Sequence, residues 1–314
     1  MVSYDLVMDV SSYQPDTLEF FQAAKNAGVK AVIVKLTEGS NPGTAYISPK
    51  AQAQINNAKA VGLKVHAYHF AQYAGTTDAQ AEAQWFIQQA KRFSLGSDSY
   101  MLADVESQSN RNPAISDTNA FLQAVQNAGY PLVGAYGMAS WYWSGRLSTS
   151  IMGINWVANY CSSQPGVDEV DIWQFSSKYN IPGYGGVDMS YDFNGILKSN
   201  QQAVSTTSQP VVKEVVPAAG EVWTDVLGDK WHSEDGTFTS NQAINLRWGA
   251  KISSAKITTL PVGSVVKYDA WSNHDGYVWI RQPRGNGQFA YMVVRDARTK
   301  EAFGSFKSWN VNLS

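Results

Sequence analysis

A single cysteine in 314 residues, Cys161, leaves no partner for an intramolecular disulfide and excludes any multi-cysteine metal site. As a nucleophile it would need a base beside it, and Ala158-Asn-Tyr-Cys161 reads instead as the end of an apolar strand burying a structural thiol. Histidine is nearly as scarce, at four residues. His66 and His69 are three apart on a predicted strand and so face opposite ways, which argues against a shared metal, and neither metal nor cofactor is expected. Charged residues make up only 16% of the chain and form no basic stripe, so nucleic acid is not an expected partner. Long apolar runs of the kind that cross a bilayer are missing too, and no segment is expected to span a membrane. The first Lys or Arg is Lys25, and Met1-Val-Ser-Tyr-Asp5 lacks the basic and apolar regions of a secretory signal. The expectation is synthesis in a host cytoplasm, with some other agent opening the way to any substrate outside the membrane.

Aromatic residues, by contrast, are plentiful: 11 Trp and 16 Tyr, side chains that stack on sugar rings as readily as they fill cores. The length suits one large domain with a smaller companion.

Helical and strand-like segments alternate from Asp5 to Tyr136. Helices are predicted over 17–27, started by Asp16 with Glu19 as in a capping box, and over 50–61, 77–93 and 117–128. A glycine and an apolar strand follow each of them. Gly28, Gly62, Gly96 and Gly129 recur at a nearly constant interval, the mark of a repeated βα unit. Such a period also fits an array of helical hairpins, but every unit here contains a β-branched or aromatic run too short and continuous for a second helix. With strands over 5–10, 31–36, 64–70, 100–106, 132–136, 154–160, 169–175 and 187–193, the count is eight. The expected fold class is α/β: a modified (β/α) barrel with eight strands and short connections between the last three, its chemistry at the C-terminal strand ends.

Those ends collect acidic and aromatic residues. In Ser99-Tyr-Met-Leu-Ala-Asp-Val-Glu106, an apolar strand closes on two carboxylates whose side chains share a face with Leu102, so that Asp104 lies deeper and Glu106 sits at the rim. Two carboxyls held so close do not ionise independently, and a general acid at neutral pH needs a raised pKa. The first strand ends near Asp9, the third at Tyr68, the fifth at Tyr136 and the seventh at Trp173-Gln174, while the eighth carries Asp188. Carboxylates converging on one mouth among Tyr and Trp are what glycosidic hydrolysis requires.

Six ordered blocks, Asp9-Val-Ser-Ser-Tyr-Gln14, Val34-Lys-Leu-Thr-Glu-Gly39, Ala67-Tyr-His-Phe70, Asp104-Val-Glu106, Ile172-Trp-Gln-Phe175 and Gly186-Val-Asp-Met-Ser190, resemble the signature blocks of glycoside hydrolase family 25, the Chalaropsis-type lysozymes. The likeness spans about residues 3–197. It implies a muramidase that cuts the β-1,4 bond between N-acetylmuramic acid and N-acetylglucosamine. Glu106 then matches the general acid, Asp104 the carboxylate beside it, and Asp9 and Asp188 the acidic partners lining the site. Tyr68, Tyr136, Trp173 and Gln174 are the expected substrate-binding residues. Ser190 stands where the family often has Asn, and Asp192 lies nearby. Cα atoms two apart on a strand are about 6.6 Å apart, a spacing that leaves retaining, inverting and acetamide-assisted routes open.

Residues 198–220 are small, polar and punctuated by proline, as in a linker. From 221 to 314 short strands recur between turn signals. Gly236-Thr-Phe-Thr, Leu260-Pro-Val-Gly and Tyr277-Val-Trp-Ile resemble bacterial Src-homology-3-like wall-binding modules of lytic enzymes. Residues 1–197 carry 11 Lys and Arg against 16 Asp and Glu, and residues 198–314 carry 13 against 10, so the basic part is the one suited to an anionic wall. Of Trp223, Trp231, Trp248, Trp271, Trp279 and Trp309, some are expected in the core and some along a groove. The expected domains are thus a catalytic barrel (1–197), a linker (198–220) and a wall-binding module (221–314), the organisation of a phage endolysin. Expected partners are bacterial peptidoglycan and, for the last module, a wall peptide or polymer; the chain is read as a monomer. The competing readings are a chitinase-type glycosidase, which would normally carry Asp where Leu102 stands, and a wall-binding protein without activity.

Overall fold

The computed structural model describes residues 4–199, 220–225, 227–284 and 288–308. Of the predicted linker, 200–219 lie outside the described residues, as do Gly287 and Trp309. The chain divides into two compact units, 1–159 with 167–207, and 160–166 with 208–314.

The first unit runs β1 (Asp5–Val10), α1 (Leu18–Asn26), β2 (Val29–Glu38), β3 (Tyr46–Ile47), α2 (Ala51–Ala60), β4 (Lys64–Phe70), α3 (Thr76–Arg92), β5 (Met101–Asp104), α4 (Ile115–Asn127), β6 (Val133–Met138), α5 (Ala139–Trp143), β7 (Ile154–Ala158), β8 (Ile172–Ile181), β9 (Gly185–Asp192) and α6 (Ile196–Ser199). Eight of its strands close a barrel in the order β1-β9-β8-β7-β6-β5-β4-β2, with β1 pairing back onto β2 and the short β3 added outside β2. Six pairings are parallel, but β9 runs antiparallel to both β8 and β1. The reversal follows from chain length. Only residues 182–184 join β8 to β9, enough for a hairpin and far too few for a crossover.

Strand alternation sorts the core into two layers. Val32, Val34, Val65, Ala67, Met101, Ala103, Val133, Ala135 and Val157 face outward, where they pack with Phe20, Phe21, Ala24, Ile55, Phe86 and Phe121 of the helices. Val7, Ile33, Leu102, Ile154, Trp156 and Ile172 alternate with them and fill the barrel, each buried. The two histidines of β4 obey the same rule. His69 bonds outward to Thr37 Oγ1 (2.8 Å) and Glu82 Oε2 (2.7 Å), while His66 accepts from Tyr100 N–H and bonds Leu197 O at the closed end.

Local signals differ from expectation in three places. Helix α1 is capped by Thr17, whose Oγ1 accepts from Phe20 N–H, rather than by Asp16, so Glu19 falls one residue short of a capping box. After α3 the left-handed residue is Ser94 (φ 55°) and not Gly96, which lies two residues further on; Gly28, Gly62 and Gly129 do take that role. Strand β7 stops at Ala158, so Cys161 lies beyond it in a turn and is half-buried rather than buried. Among the described residues no helix is long and apolar enough to cross a membrane.

Among the described residues the second unit contains only strands: β10 (Val222–Thr224), β11 (Lys230–Ser240), β12 (Ile244–Arg247), β13 (Lys256–Leu260), β14 (Val265–His274), β15 (Tyr277–Pro283), β16 (Phe289–Asp296) and β17 (Gly304–Ser308). They form one antiparallel sheet, β10-β11-β14-β15-β16-β12-β13, with β17 also on β11. Strands β13 and β14 are joined by the turn Pro261-Val-Gly-Ser264, in which Ser264 N–H bonds Pro261 O. Trp231 and Trp279 are core residues, whereas Trp223, Trp248 and Trp271 are half-buried. A buried bidentate pair, Arg281 Nε to Asp269 Oδ1 (2.9 Å) and Nη2 to Oδ2 (3.0 Å), lies between the rings of Trp223 and Phe289.

The helix ends offer a test of backbone conformation alone. A Cβ at Gly129 would meet nothing within 4 Å, so Gly129→Ala is expected to cost about 1 kcal/mol from its left-handed backbone. Ser94→Gly is expected to stabilise by about 0.5 kcal/mol, relief of strain exceeding the added freedom of the unfolded chain. Urea unfolding midpoints should therefore move in opposite directions.

Candidate active site

Because β9 is reversed, its first half lies at the same mouth as the C-terminal tips of the parallel strands. In register, Asp9 of β1 stands directly across from Asp188 of β9. Asp192, at the other end of β9, pairs with Asp5 and instead accepts the N–H groups of Asn194, Ile196 and Leu197 at the start of α6. Asp188 is thus the acidic residue of this strand that belongs to the mouth. On β5, Leu102 is wholly buried, Asp104 is 6% exposed, and Glu106, two residues past the strand's end, is exposed at the rim.

The four carboxyls share a field. Burial pushes Asp9 and Asp104 well above the ordinary carboxylate range, and neighbouring negative charge adds to it, chiefly Asp188 for Asp9 and Glu106 for Asp104. Glu106 and Asp188 are raised as well, mainly because the surrounding protein takes part of the water from their carboxyls. The Tyr68 phenol, itself buried, is raised by burial and then by the charges of Asp104, Asp9, Asp188 and Glu106, which places it among all four. Asp104 Oδ1 is buried and accepts no hydrogen bond.

Opposing this is Lys35, whose charge pulls down both Asp104 and Glu106. Its Nζ lies 2.9 Å from Glu38 Oε2 and 4.6 Å from the centre of the Phe70 ring. Gln72 Nε2 in turn donates to Glu38 Oε1 (2.8 Å). Behind Asp9 runs a chain of single direction: Tyr136 O–H donates to Gln174 Oε1 (2.9 Å), and Gln174 Nε2 donates to Asp9 Oδ2 (2.7 Å). The chain holds the amide in one orientation and favours the Asp9 anion against its burial.

Tyr68, Tyr136 and Gln174 therefore join the carboxyls, but Trp173 does not. Neighbours along a strand face opposite ways, and with Gln174 inward Trp173 lies in the outer layer, 2% exposed, against Phe175 and Tyr191. The aromatic that does face inward is Trp156. Its ring lies 4.6 Å from that of Tyr136 and 6.5 Å from that of Tyr68, and its Nε1 donates to Ser190 Oγ (3.1 Å). Lys35, Glu38 and Trp156 sit on the second and sixth barrel strands, the two whose tips the strand-end pattern passes over. Applied to Lys35-Leu-Thr-Glu38 and Asn155-Trp-Val, the same rule finds them.

Such a cluster opposes folding at neutral pH. A carboxyl whose folded pKa exceeds its unfolded value stabilises the chain below the unfolded value and loses that contribution as pH rises through the folded one. Asp104→Asn is accordingly expected to raise the thermal midpoint of the barrel at neutral pH, with the gain vanishing below about pH 3.9, where the wild-type carboxyl is protonated in both states. Thermal scans across that range check the sign.

Comparison with known proteins gives the family of each part of the chain. The model of glycosyl hydrolases family 25 matches residues 8–184, and that of the bacterial SH3 domain matches residues 230–294. The N,O-diacetylmuramidase of Chalaropsis sp. is 32% identical over 200 residues, 57% of this chain and 89% of that protein. The autolytic lysozyme of Clostridium acetobutylicum is 27% identical over 180 residues, 56% of this chain and 53% of its own length. Among solved structures, the CTP1L endolysin superposes with a TM-score of 0.54 at 25% identity, covering 62% of this chain and 69% of that one. With more than half its length matched, the chain belongs to glycosyl hydrolases family 25 and carries a bacterial SH3 domain after its barrel.

Proposed function

We propose that this glycoside hydrolase is an N-acetylmuramidase cutting the β-1,4 bond between N-acetylmuramic acid and N-acetylglucosamine in bacterial peptidoglycan, with Glu106 as general acid. The observation that carries the reading is one rim carboxyl, Glu106, held above its ordinary pKa and open to solvent beside three more enclosed carboxyls. A protonated Glu106 donates to the departing glycosidic oxygen. The acetamido carbonyl oxygen of the muramyl sugar attacks its C1, and Asp104 accepts the acetamide N–H on the oxygen that lacks a partner. That bond favours the anionic form of Asp104 and drives the proton shared by the pair toward Glu106, so substrate binding arms the acid. Water then opens the cyclic intermediate, giving a proton to Glu106. Asp9 and Asp188 line the site and stabilise positive charge at C1, and Tyr68, Tyr136, Gln174 and Trp156 shape its wall.

The barrel, residues 1–197, works beside an SH3 module, 221–314, that holds the enzyme on the wall through a peptide or polymer ligand, the two being joined by 198–220. Tethering raises the local substrate concentration. We read it as a monomeric lytic enzyme that reaches the wall from the host cytoplasm through a separate membrane lesion; the likeness to the CTP1L endolysin supports the lytic part of that reading.

Two measurements test this. Mass spectrometry of digested peptidoglycan is expected to show new muramic-acid reducing ends with wild type and roughly 10²- to 10⁴-fold fewer with Glu106→Gln; N-acetylglucosamine ends would reassign the bond. Replacing the acetamide of the cleaved sugar by hydroxyl is expected to abolish turnover, and equal rates on both substrates would discard the assisted route.

A further inference from the structure

Of the large hydrophobic side chains exposed among the described residues, Tyr13 stands apart: it is 91% exposed, whereas the next, Val262, is 66%. It belongs to the segment that follows β1, four residues beyond Asp9, and so stands within about 14 Å of chain from that carboxyl, on the mouth side of the barrel. An exposed ring on a loose loop would carry no meaning, since isolated surface hydrophobics are ordinary. This one is fixed on both sides. Gln54 Nε2 donates to Ser11 O (2.8 Å), Lys50 Nζ to Gln14 O (2.8 Å) and Asn57 Nδ2 to Asp16 O (2.6 Å), all three reaching up from α2 or the residue that precedes it. The Gln14 side chain folds back to accept Ser11 N–H (2.8 Å), and Tyr46 O–H donates to Ser12 Oγ (3.2 Å). Backbone carbonyls that would otherwise face water are thus held by buried or half-buried side chains, and the residue left outside that scaffold is the aromatic one.

We infer that Tyr13 is a stacking platform for a sugar ring of the glycan strand lying beyond the cleaved bond, a distal subsite separate from the carboxyl cluster. The inference rests on the reading of the barrel as a glycan-strand hydrolase. Pyranose rings present an apolar C–H face to an aromatic plane while their hydroxyls stay in water, a combination suited to a ring with an apolar body and a polar tip. Because the loop is held before the ligand arrives, little ordering entropy opposes the contact. The mouth itself is acidic, so an uncharged stacking surface extends the site without adding repulsion toward the carboxylate-bearing stems of the wall.

The test compares long glycan strands with the shortest cleavable fragment. Tyr13→Ala is expected to raise KM for long strands roughly three- to tenfold, the worth of one aromatic contact, with kcat little changed, and to narrow the preference for long over short substrate. Tyr13→Phe, which keeps the ring, should behave as wild type. Binding separates this from the chemistry: in a Glu106→Gln background, calorimetric titration with long strands should show the same loss on adding Tyr13→Ala, whether or not turnover proves to be that of a muramidase. Equal affinity with and without the ring, or an equal KM change on short and long substrates, would overturn the subsite. Since Tyr13 is exposed, unchanged thermal unfolding is expected to accompany the loss.

Discussion

Strand β1 hydrogen-bonds to neighbours of opposite sense, parallel to β2 and antiparallel to β9, and the barrel closes only when both pairings form. The antiparallel one sets the site. It brings Asp9 opposite Asp188 and, three positions deeper, Leu6 opposite Tyr191, with side chains alternating between the barrel interior and the outer layer. A register slip of one residue would turn Asp9 toward the hydrophobic layer that the helices cover. The apolar contacts of Met8 and Val10 with that layer therefore fix where the carboxylate points.

Around this frame the chain gathers like charges in a place that resists them. Loss of water raises all four carboxyls and neighbouring negative charge adds to it at Asp9, Asp104 and Glu106, while the opposing elements are few and specific: the Lys35 cation held by Glu38, and the Gln174 amide oriented by Tyr136. They differ in effect. Lys35 acts on the Asp104 and Glu106 side of the mouth, whereas the amide acts on Asp9 across from it. The two halves of the cluster are tuned by separate neighbours, which lets one carboxyl favour its anion while another keeps a proton.

Much of this was legible in the residues. The βα rhythm, the eight strands and the acid pair follow from periodicity and turn chemistry, because each depends on local sequence. What was hidden depends on partners distant in the chain. Gly96 matched the spacing of the other glycines, yet the helix before it ends earlier on Ser94, an ending set by the packing of Phe93 and Leu95. Trp173 and Gln174 are adjacent, and choosing which one faces the mouth requires the register of β8 against β7 and β9. Trp156, and Lys35 within the block Val34-Lys-Leu-Thr-Glu-Gly39, were given no role in the site because a lone tryptophan or lysine in an apolar run looks like a core or a surface residue until its neighbours across the sheet are known. The reversal of β9 was hidden too, because the predicted strands 169–175 and 187–193 leave eleven residues between them, and only the observed lengths of β8 and β9 shrink that gap to residues 182–184.

The closing contact between β1 and β9 also orders events in time. Asp9 and Asp188 lie near the two ends of the barrel's stretch of chain. At a synthesis rate of about 5 to 20 residues per second, roughly 10 to 40 s pass between the appearance of one and the other. Throughout that interval the first strand can pair with β2 alone, and its other edge stays open. The repulsion that Asp188 exerts on Asp9 and Glu106 is thus imposed last, and the ribosome holds a chain without a complete mouth until nearly the whole barrel has emerged.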